Sequence, residues 1–162
     1  MLSLIILLFL LICSVTDIKK KKILNIYTFP LMGIGVFYNT YRYGFHGFLF
    51  SLKSMILVLL ILFFVSLFIQ GLGFGDIKLF MGIASCIGFA ITLKTYIISL
   101  VLFILYEILF DRSKSFKKIL NSIVYMKTLL FFGKTDNYEM IVQDTKPFSV
   151  FILVAFIVIL IL

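Results

Sequence analysis

Long apolar runs, separated by short clusters of Lys and Arg, dominate this 162-residue chain and restrict what it can fold into. Hydrophobic residues make up 63% of the sequence and charged residues only 14%, whereas a soluble domain is about a quarter charged. Such a sequence has too little polar surface to cover a water-soluble globule. We therefore predict one membrane-embedded domain over residues 1–162, with lipid as its solvent.

The apolar runs predict an all-α, polytopic fold with about six transmembrane helices. A helix needs about 20 mostly apolar residues to cross the hydrocarbon core. The segments that meet or approach this length are residues 1–16, 26–43, 51–69, 77–93, 95–110 and 147–162. We expect the first to be a retained helix and not a signal peptide, because no basic residue precedes Lys19. A tight turn near Lys94 is predicted between the fourth and fifth.

The basic residues predict the orientation, because Lys and Arg accumulate on the cytoplasmic side of membrane helices. One side of the predicted bundle carries 12 of them: Lys19, Lys20, Lys21, Lys22, Lys78, Arg112, Lys114, Lys117, Lys118, Lys127, Lys134 and Lys146. The other side carries 3, namely Arg42, Lys53 and Lys94. The first group is therefore predicted to be cytoplasmic and both termini external. The net charge of +8 then favours anionic lipid as a partner and does not point to nucleic acid.

The polar stretch 111–146 interrupts the apolar pattern between the last two predicted spans. Its first part, "DRSKSFKKILNSIVYMKTLLFF", has apolar and basic residues at helical spacing. This pattern predicts an amphipathic helix on the cytoplasmic leaflet, and the alternative is a flap over an active site. The remainder reads as a cytoplasmic loop, and Pro147 is predicted to start the last helix.

Two aspartates stand out because charged groups at a transmembrane helix are costly and therefore mark functional sites. Asp17 ends the first apolar run and Asp76 begins the fourth, and the predicted topology places both at the cytoplasmic boundary. Two carboxylates at one depth can share a proton, so that one activates water and the other polarises a carbonyl. Neither a metal nor a cofactor is expected, because Cys13, Cys86 and His46 lack the spacing of metal ligands.

Glycines alternate immediately before the second aspartate, in "GLGFGDIKLF". Glycine permits unusual backbone conformations and close approach of another chain. We predict that Gly73 and Gly75 let an extended substrate pair with this backbone; the alternative is a flexible turn between helices. Lys78 is a candidate substrate-binding residue that could hold Asp76 ionised or pair with Glu107, or it could extend to the membrane surface as an anchor.

The segment "GFGDIKLFMGIASCIG" resembles the G-x-G-D-x-K-L block of type IV prepilin peptidases, with Gly82 and Gly88 matching its later glycines. The segment "DIKKKKILNIYTFP" resembles the family's other aspartate block, in which Asp17 and Asn25 match and Leu24 replaces the usual proline. The segment "KPFSVFILVAF" resembles the start of the family's last helix. The three blocks occur in the family's order.

This resemblance implies an intramembrane aspartic endopeptidase in a prokaryotic plasma membrane, with Asp17 and Asp76 as its catalytic residues. It implies substrates with a short basic leader, cut at the cytoplasmic face after a Gly. The Cys-x-x-Cys segment linked to N-methylation is not found, so the short, peptidase-only form is expected. Two alternatives stay open: a non-catalytic subunit of a pilus or secretion assembly, and a presenilin-like G-x-G-D protease. The basic run after Asp17 argues against the second.

Overall fold

A computed structural model of the chain describes residues 2–68, 73–110 and 147–161, and in these ranges every regular element is an α-helix. The helices are α1 (Leu2–Lys20), α2 (Asn25–Phe68), α3 (Phe74–Ile87), α4 (Phe89–Phe110) and α5 (Ser149–Ile161). The predicted all-α class is therefore confirmed. The predicted amphipathic segment 111–146 lies outside the described residues.

Helix α1 continues past its apolar run to Lys20, so that Asp17 lies in its last turn. The N–H of Lys21 donates to the Asp17 carbonyl (2.8 Å), and the helix ends there because Lys21 has a left-handed backbone, with φ of 50°. Two lysines in the last turn, Lys19 and Lys20, interact favourably with the negative end of the helix dipole.

Helix α2 contains the second and third predicted spans and reverses direction between them. Gly44 has φ of 59° and ψ of −143°, which is not helical. Asn39 Nδ2 donates to Ser51 Oγ at 3.0 Å, whereas an unbroken helix would separate these residues by about 18 Å. The two halves of α2 therefore fold back on each other, and a glycine supplies the positive φ that the reversal requires.

The predicted turn near Lys94 is wrong, because the break between α3 and α4 lies at Gly88 and Lys94 is inside α4. Gly88 has φ of 88°, and its N–H donates to the Ala84 carbonyl (2.9 Å). A lysine does not adopt this backbone readily, whereas glycine does. The rings of Phe80 and Tyr96 then meet edge-on at 5.4 Å, which shows that the chain turns back after Gly88.

The position of this break shortens the fourth predicted span to the 14 residues of α3. By length and composition, helices that could cross a membrane are α1, the Asn25–Ser66 part of α2 and the Phe89–Tyr106 part of α4. Helix α5 is a shorter apolar helix. Six spans and external termini stay predictions.

A buried polar network attaches α3 to the hairpin formed by α2. Asn39 Nδ2 also donates to the Ser85 carbonyl (2.8 Å), and so does Ser51 Oγ (2.8 Å). In apolar surroundings an unpaired polar group is costly, so these bonds hold the helices in one register. Gly35 lets the helices approach, because a Cβ there would lie 2.7 Å from the Ser85 carbonyl carbon. The network therefore fixes the position of α3, which carries Asp76 in its first turn.

Helix α5 packs against α1 and α4. Phe103 of α4 makes edge-on ring contacts with Phe148 and Phe151, at 5.5 and 5.4 Å between ring centroids. Phe148 is buried immediately before α5. This aromatic cluster fixes the beginning of α5 against α4.

Candidate active site

Asp17 is buried in the last turn of α1, with 8% of its surface exposed. Its Oδ2 atom accepts two hydrogen bonds from Ser149, one from the hydroxyl at 2.7 Å and one from the backbone N–H at 3.3 Å. Because Ser149 is the first residue of α5, its N–H has no partner within that helix and is available to the carboxylate. The start of α5 therefore holds the Asp17 carboxylate in place.

Asp76 is the third residue of α3 and is also 8% exposed. Its Oδ2 atom accepts a hydrogen bond from the N–H of Gly73 at 3.2 Å, so the side chain folds back over the start of its own helix. A carboxylate in this position satisfies a free donor and interacts with the positive end of the helix dipole. The hydrogen bond also restricts where the carboxyl group can point.

The two carboxylates act on each other electrostatically. The pKa of Asp76 is raised to about 7, chiefly because the carboxyl group is buried and also because of the negative charge of Asp17. The hydrogen bond from the Gly73 N–H lowers this pKa, but by less. Asp76 lies outside the described helices that are long and apolar enough to cross a membrane. A carboxyl group with a raised pKa keeps its proton closer to neutral pH and can donate that proton to a substrate.

The model of the type IV leader peptidase family matches residues 4–108, which is more than half of the chain and includes both aspartates. The chain belongs to this family. No curated protein and no solved structure gives a match. Family membership shows a peptidase of the leader peptidase type, in agreement with the resemblance that the aspartate blocks indicated.

In this member of the family, the hydrogen bond that the structure shows for the Lys78 side chain goes to Asn25 and not to either carboxylate. The Nζ atom of Lys78 donates to Asn25 Oδ1 at 3.1 Å and lies 5.7 Å from the centre of the Phe29 ring. Asn25 is the first residue of α2. Lys78 therefore ties the first turns of α3 to the start of α2 at the exposed edge of the site, and its ammonium faces outward.

The glycines that precede the aspartate have different surroundings. Gly73 has φ of −72° and ψ of 150°, an extended conformation that other residues also adopt. The glycines with positive φ in the described ranges are Gly44 and Gly88, which are not part of this segment. A Cβ on Gly73 would meet nothing closer than Asp76 Oδ2 at 3.5 Å. A Cβ on Gly75 would lie 3.1 Å from the Cβ of Ile23, in the α1–α2 connection. Close approach of that connection, and not an unusual backbone angle, therefore favours glycine at 75.

Sequence reasoning missed one member of the site, Ser149. A serine two residues after Pro147 is a typical helix start, and this local signal was available. Its partner Asp17 lies 132 residues away in the sequence. Nothing in the pattern of apolar residues connects these positions, and the family match ends before α5 begins.

Proposed function

We propose that this member of the family is an intramembrane aspartic endopeptidase that removes the short basic leader from type IV prepilin-like substrates. One observation carries the proposal: α1 and α3 each bring one buried aspartate to the site, and the charge of Asp17 acts on Asp76. A pair with one proton supports hydrolysis without a metal ion or a nucleophilic side chain. The family description supports the leader as substrate.

The proposed reaction uses the pair as acid and base. The ionised carboxylate takes a proton from a water molecule, and the water oxygen bonds to the carbonyl carbon of the scissile peptide. The protonated carboxyl group donates its proton to the carbonyl oxygen, so that no free oxyanion forms. When the tetrahedral intermediate collapses, the C–N bond breaks and the carboxyl group that took the water proton gives it to the leaving nitrogen. The other carboxylate takes the proton of one hydroxyl group of the intermediate, so that the pair again holds one proton.

The substrate proposed for this site is a membrane protein with a basic leader, a Gly before the cut and an apolar helix after it. The lysines that follow Asp17 would repel such a leader, so we assign Lys19 to Lys22 to contacts with anionic lipid. We place the enzyme in a prokaryotic plasma membrane with its site at the cytoplasmic face. The distribution of basic residues supports this orientation.

Orientation is testable by labelling single cysteines with an impermeant thiol reagent on intact cells, in a background that lacks Cys13 and Cys86. We expect a cysteine at Lys20 to be labelled only after lysis and a cysteine at His46 to be labelled on intact cells. Lys20 is the last residue of α1 and His46 lies near the Gly44 reversal, and the two positions are on opposite predicted sides. External labelling at Lys20 would overturn both the orientation and the cytoplasmic location of the site.

The alternatives predict different behaviour of the aspartates. In a non-catalytic subunit of a pilus or secretion assembly, Asp17 and Asp76 would be polar helix contacts, and an isosteric Asn would be tolerated. A presenilin-like protease would share the chemistry but would not require a basic leader. Co-expression with candidate prepilins, read as leader loss on a gel, separates these cases: cleavage of prepilins but not of a leaderless helix supports the leader peptidase.

Substrate pairing along the glycines is best tested at Gly73. Because a Cβ there meets only ordinary contacts within the protein, Gly73→Ala is expected to leave the folded amount unchanged. If substrate backbone passes this residue, the same methyl group obstructs it, and we expect about a tenfold lower cleavage rate in membranes with matched enzyme levels.

Gly75→Ala is the informative comparison for that experiment. It forces Ile23 to move by a few tenths of an ångström and should reduce folding and cleavage together. Parental cleavage by Gly73→Ala would show that the substrate does not pair at this position, while leaving the two aspartates as the proposed catalytic residues.

A further inference from the structure

We propose that Ser149 is a positioning residue that keeps Asp17 as the ionised, water-activating member of the pair and thereby leaves Asp76 as the proton donor. This inference rests on the proposed function and assigns a separate role to each aspartate. It depends on the contacts at the start of α5 and not on the family match, which ends at residue 108.

The two aspartates differ in the hydrogen bonds that they accept. Asp17 Oδ2 accepts hydrogen bonds from the hydroxyl (2.7 Å) and the N–H (3.3 Å) of Ser149, whereas Asp76 Oδ2 accepts the N–H of Gly73 at 3.2 Å. Hydrogen bonds to a charged acceptor are stronger than hydrogen bonds between neutral groups, and the shorter of these two bonds to Asp17 is the 2.7 Å bond from the Ser149 hydroxyl. Donors that point at one carboxylate favour its ionised form. The proton that the pair shares is therefore placed on Asp76.

The burial of Ser149 makes this contact specific. Ser149 is fully buried, and Phe148 beside it is 7% exposed. Water is thus a poor substitute for the hydroxyl at Asp17, and the ring contacts of Phe148 with Phe103 hold the start of α5 in position. Removal of the hydroxyl would leave the carboxylate with one donor fewer in a place where solvent cannot easily replace it.

Other titratable groups around Asp17 come from the elements that pack on α1. Helix α5 contributes none, since its sequence is "SVFILVAFIVILI". Helix α3 contributes Asp76 and, bonded to Asn25, Lys78. Helix α1 and the connection after it contribute the thiol of Cys13 and the ammonium groups of Lys19, Lys20, Lys21 and Lys22. The hydrogen bonds from Ser149 reach Asp17, whereas the hydrogen bond from Gly73 reaches Asp76, so the Ser149 hydroxyl distinguishes the two carboxylates.

The assigned roles give a defined proton path. A water proton passes to Asp17 as the water oxygen bonds to the scissile carbonyl carbon, and the proton of Asp76 passes to the carbonyl oxygen. Charge and proton number balance, because the pair gains one proton from water and gives one to the substrate. The Asp76 proton is available near neutral pH because burial and the charge of Asp17 raise its pKa to about 7.

The test is Ser149→Ala, with Ser149→Thr as the variant that keeps the hydroxyl and Ser149→Cys as one that fills the volume but donates weakly. Each is purified, placed in vesicles and assayed on a synthetic prepilin between pH 4 and pH 9. We expect Ser149→Ala and Ser149→Cys to lower kcat by about tenfold with KM little changed, and the acid limb of the pH–rate profile to move up by about one pH unit. Ser149→Thr should recover kcat and the parental profile.

Ser99→Ala is the matched control, because Ser99 is equally buried and its hydroxyl donates to the Tyr96 carbonyl of its own helix (2.7 Å). We expect Ser99→Ala to keep the parental kcat and pH profile. A parental kcat and profile in Ser149→Ala, or a folded Ser149→Thr that fails to recover them, would overturn the role of Ser149. If Asp17→Asn or Asp76→Asn cleaves at the parental rate, the proposed function itself fails, which is a separate result.

Discussion

Replacing either Asp17 or Asp76 by Asn is expected to lower leader cleavage by about 10³-fold, within the range that general acid and base groups contribute to hydrolysis. Asn has nearly the same shape as Asp, and its side-chain oxygen can still accept the bonds from Ser149 or Gly73. An amide can neither take a proton from water nor donate one as a carboxylic acid does. The loss should therefore appear in kcat, with little change in the amount of folded protein.

The measurement is a time course of leader removal in vesicles with matched enzyme levels. Asp144→Asn is the control, because its carboxylate falls in the last part of the polar stretch 111–146, which the sequence predicts to be a cytoplasmic loop. We expect that variant to cleave at the parental rate. Parental cleavage by Asp17→Asn or by Asp76→Asn would instead favour a structural role for that aspartate and, with it, the non-catalytic subunit.

Gly35→Ala is expected to give the largest loss of stability among the glycine variants described here. A Cβ at this position would lie 2.7 Å from the Ser85 carbonyl carbon and 2.8 Å from the Cys86 nitrogen. Backbone atoms cannot rotate away as the end of a side chain can, so α3 has to shift from α2. Overpacking of this kind costs about 1–3 kcal/mol, and we expect the upper end because the bonds of Asn39 to Ser85 would also be strained.

Gly33→Ala is the matched control, two residues earlier in the same helix. A Cβ there meets nothing within 4 Å, and alanine is preferred over glycine in a helix by up to about 1 kcal/mol. Thermal unfolding in detergent should show a lower Tm for Gly35→Ala and an equal or slightly higher Tm for Gly33→Ala. Equal Tm values in the two variants would contradict the close contact between α2 and α3.

The sequence was sufficient to predict the parts of the site that lie next to apolar runs. An aspartate at the end of one run and another at the start of a later run were predicted at one boundary, and the structure places Asp17 and Asp76 in end turns of α1 and α3. The all-α class followed from composition, because lipid requires backbone groups to be paired within each segment. These inferences depend on local composition and spacing.

The features that were missed depend on contacts between distant segments or on backbone angles. The sequence is apolar almost without interruption from residue 77 to residue 110, so hydropathy could not locate the break between α3 and α4. Gly88 was noted only as a glycine of the family motif and not as the position of the break. Helix α1 extends to Lys20 because lysine is a good helix former, beyond the point where the apolar run stops. The hydrogen bond from Ser149 to Asp17 depends on how α5 packs against α1, and the periodicity of apolar residues does not predict that packing.

The most direct measurement of the central claim is the mass of the products that the purified protein makes from a synthetic prepilin in vesicles. The proposed mechanism predicts two fragments from a single cut after the Gly that ends the leader, unchanged by a metal chelator and absent with the Asp76→Asn protein. An intact substrate under these conditions, or fragments that persist with Asp76→Asn, would contradict an aspartic leader peptidase built on Asp17 and Asp76.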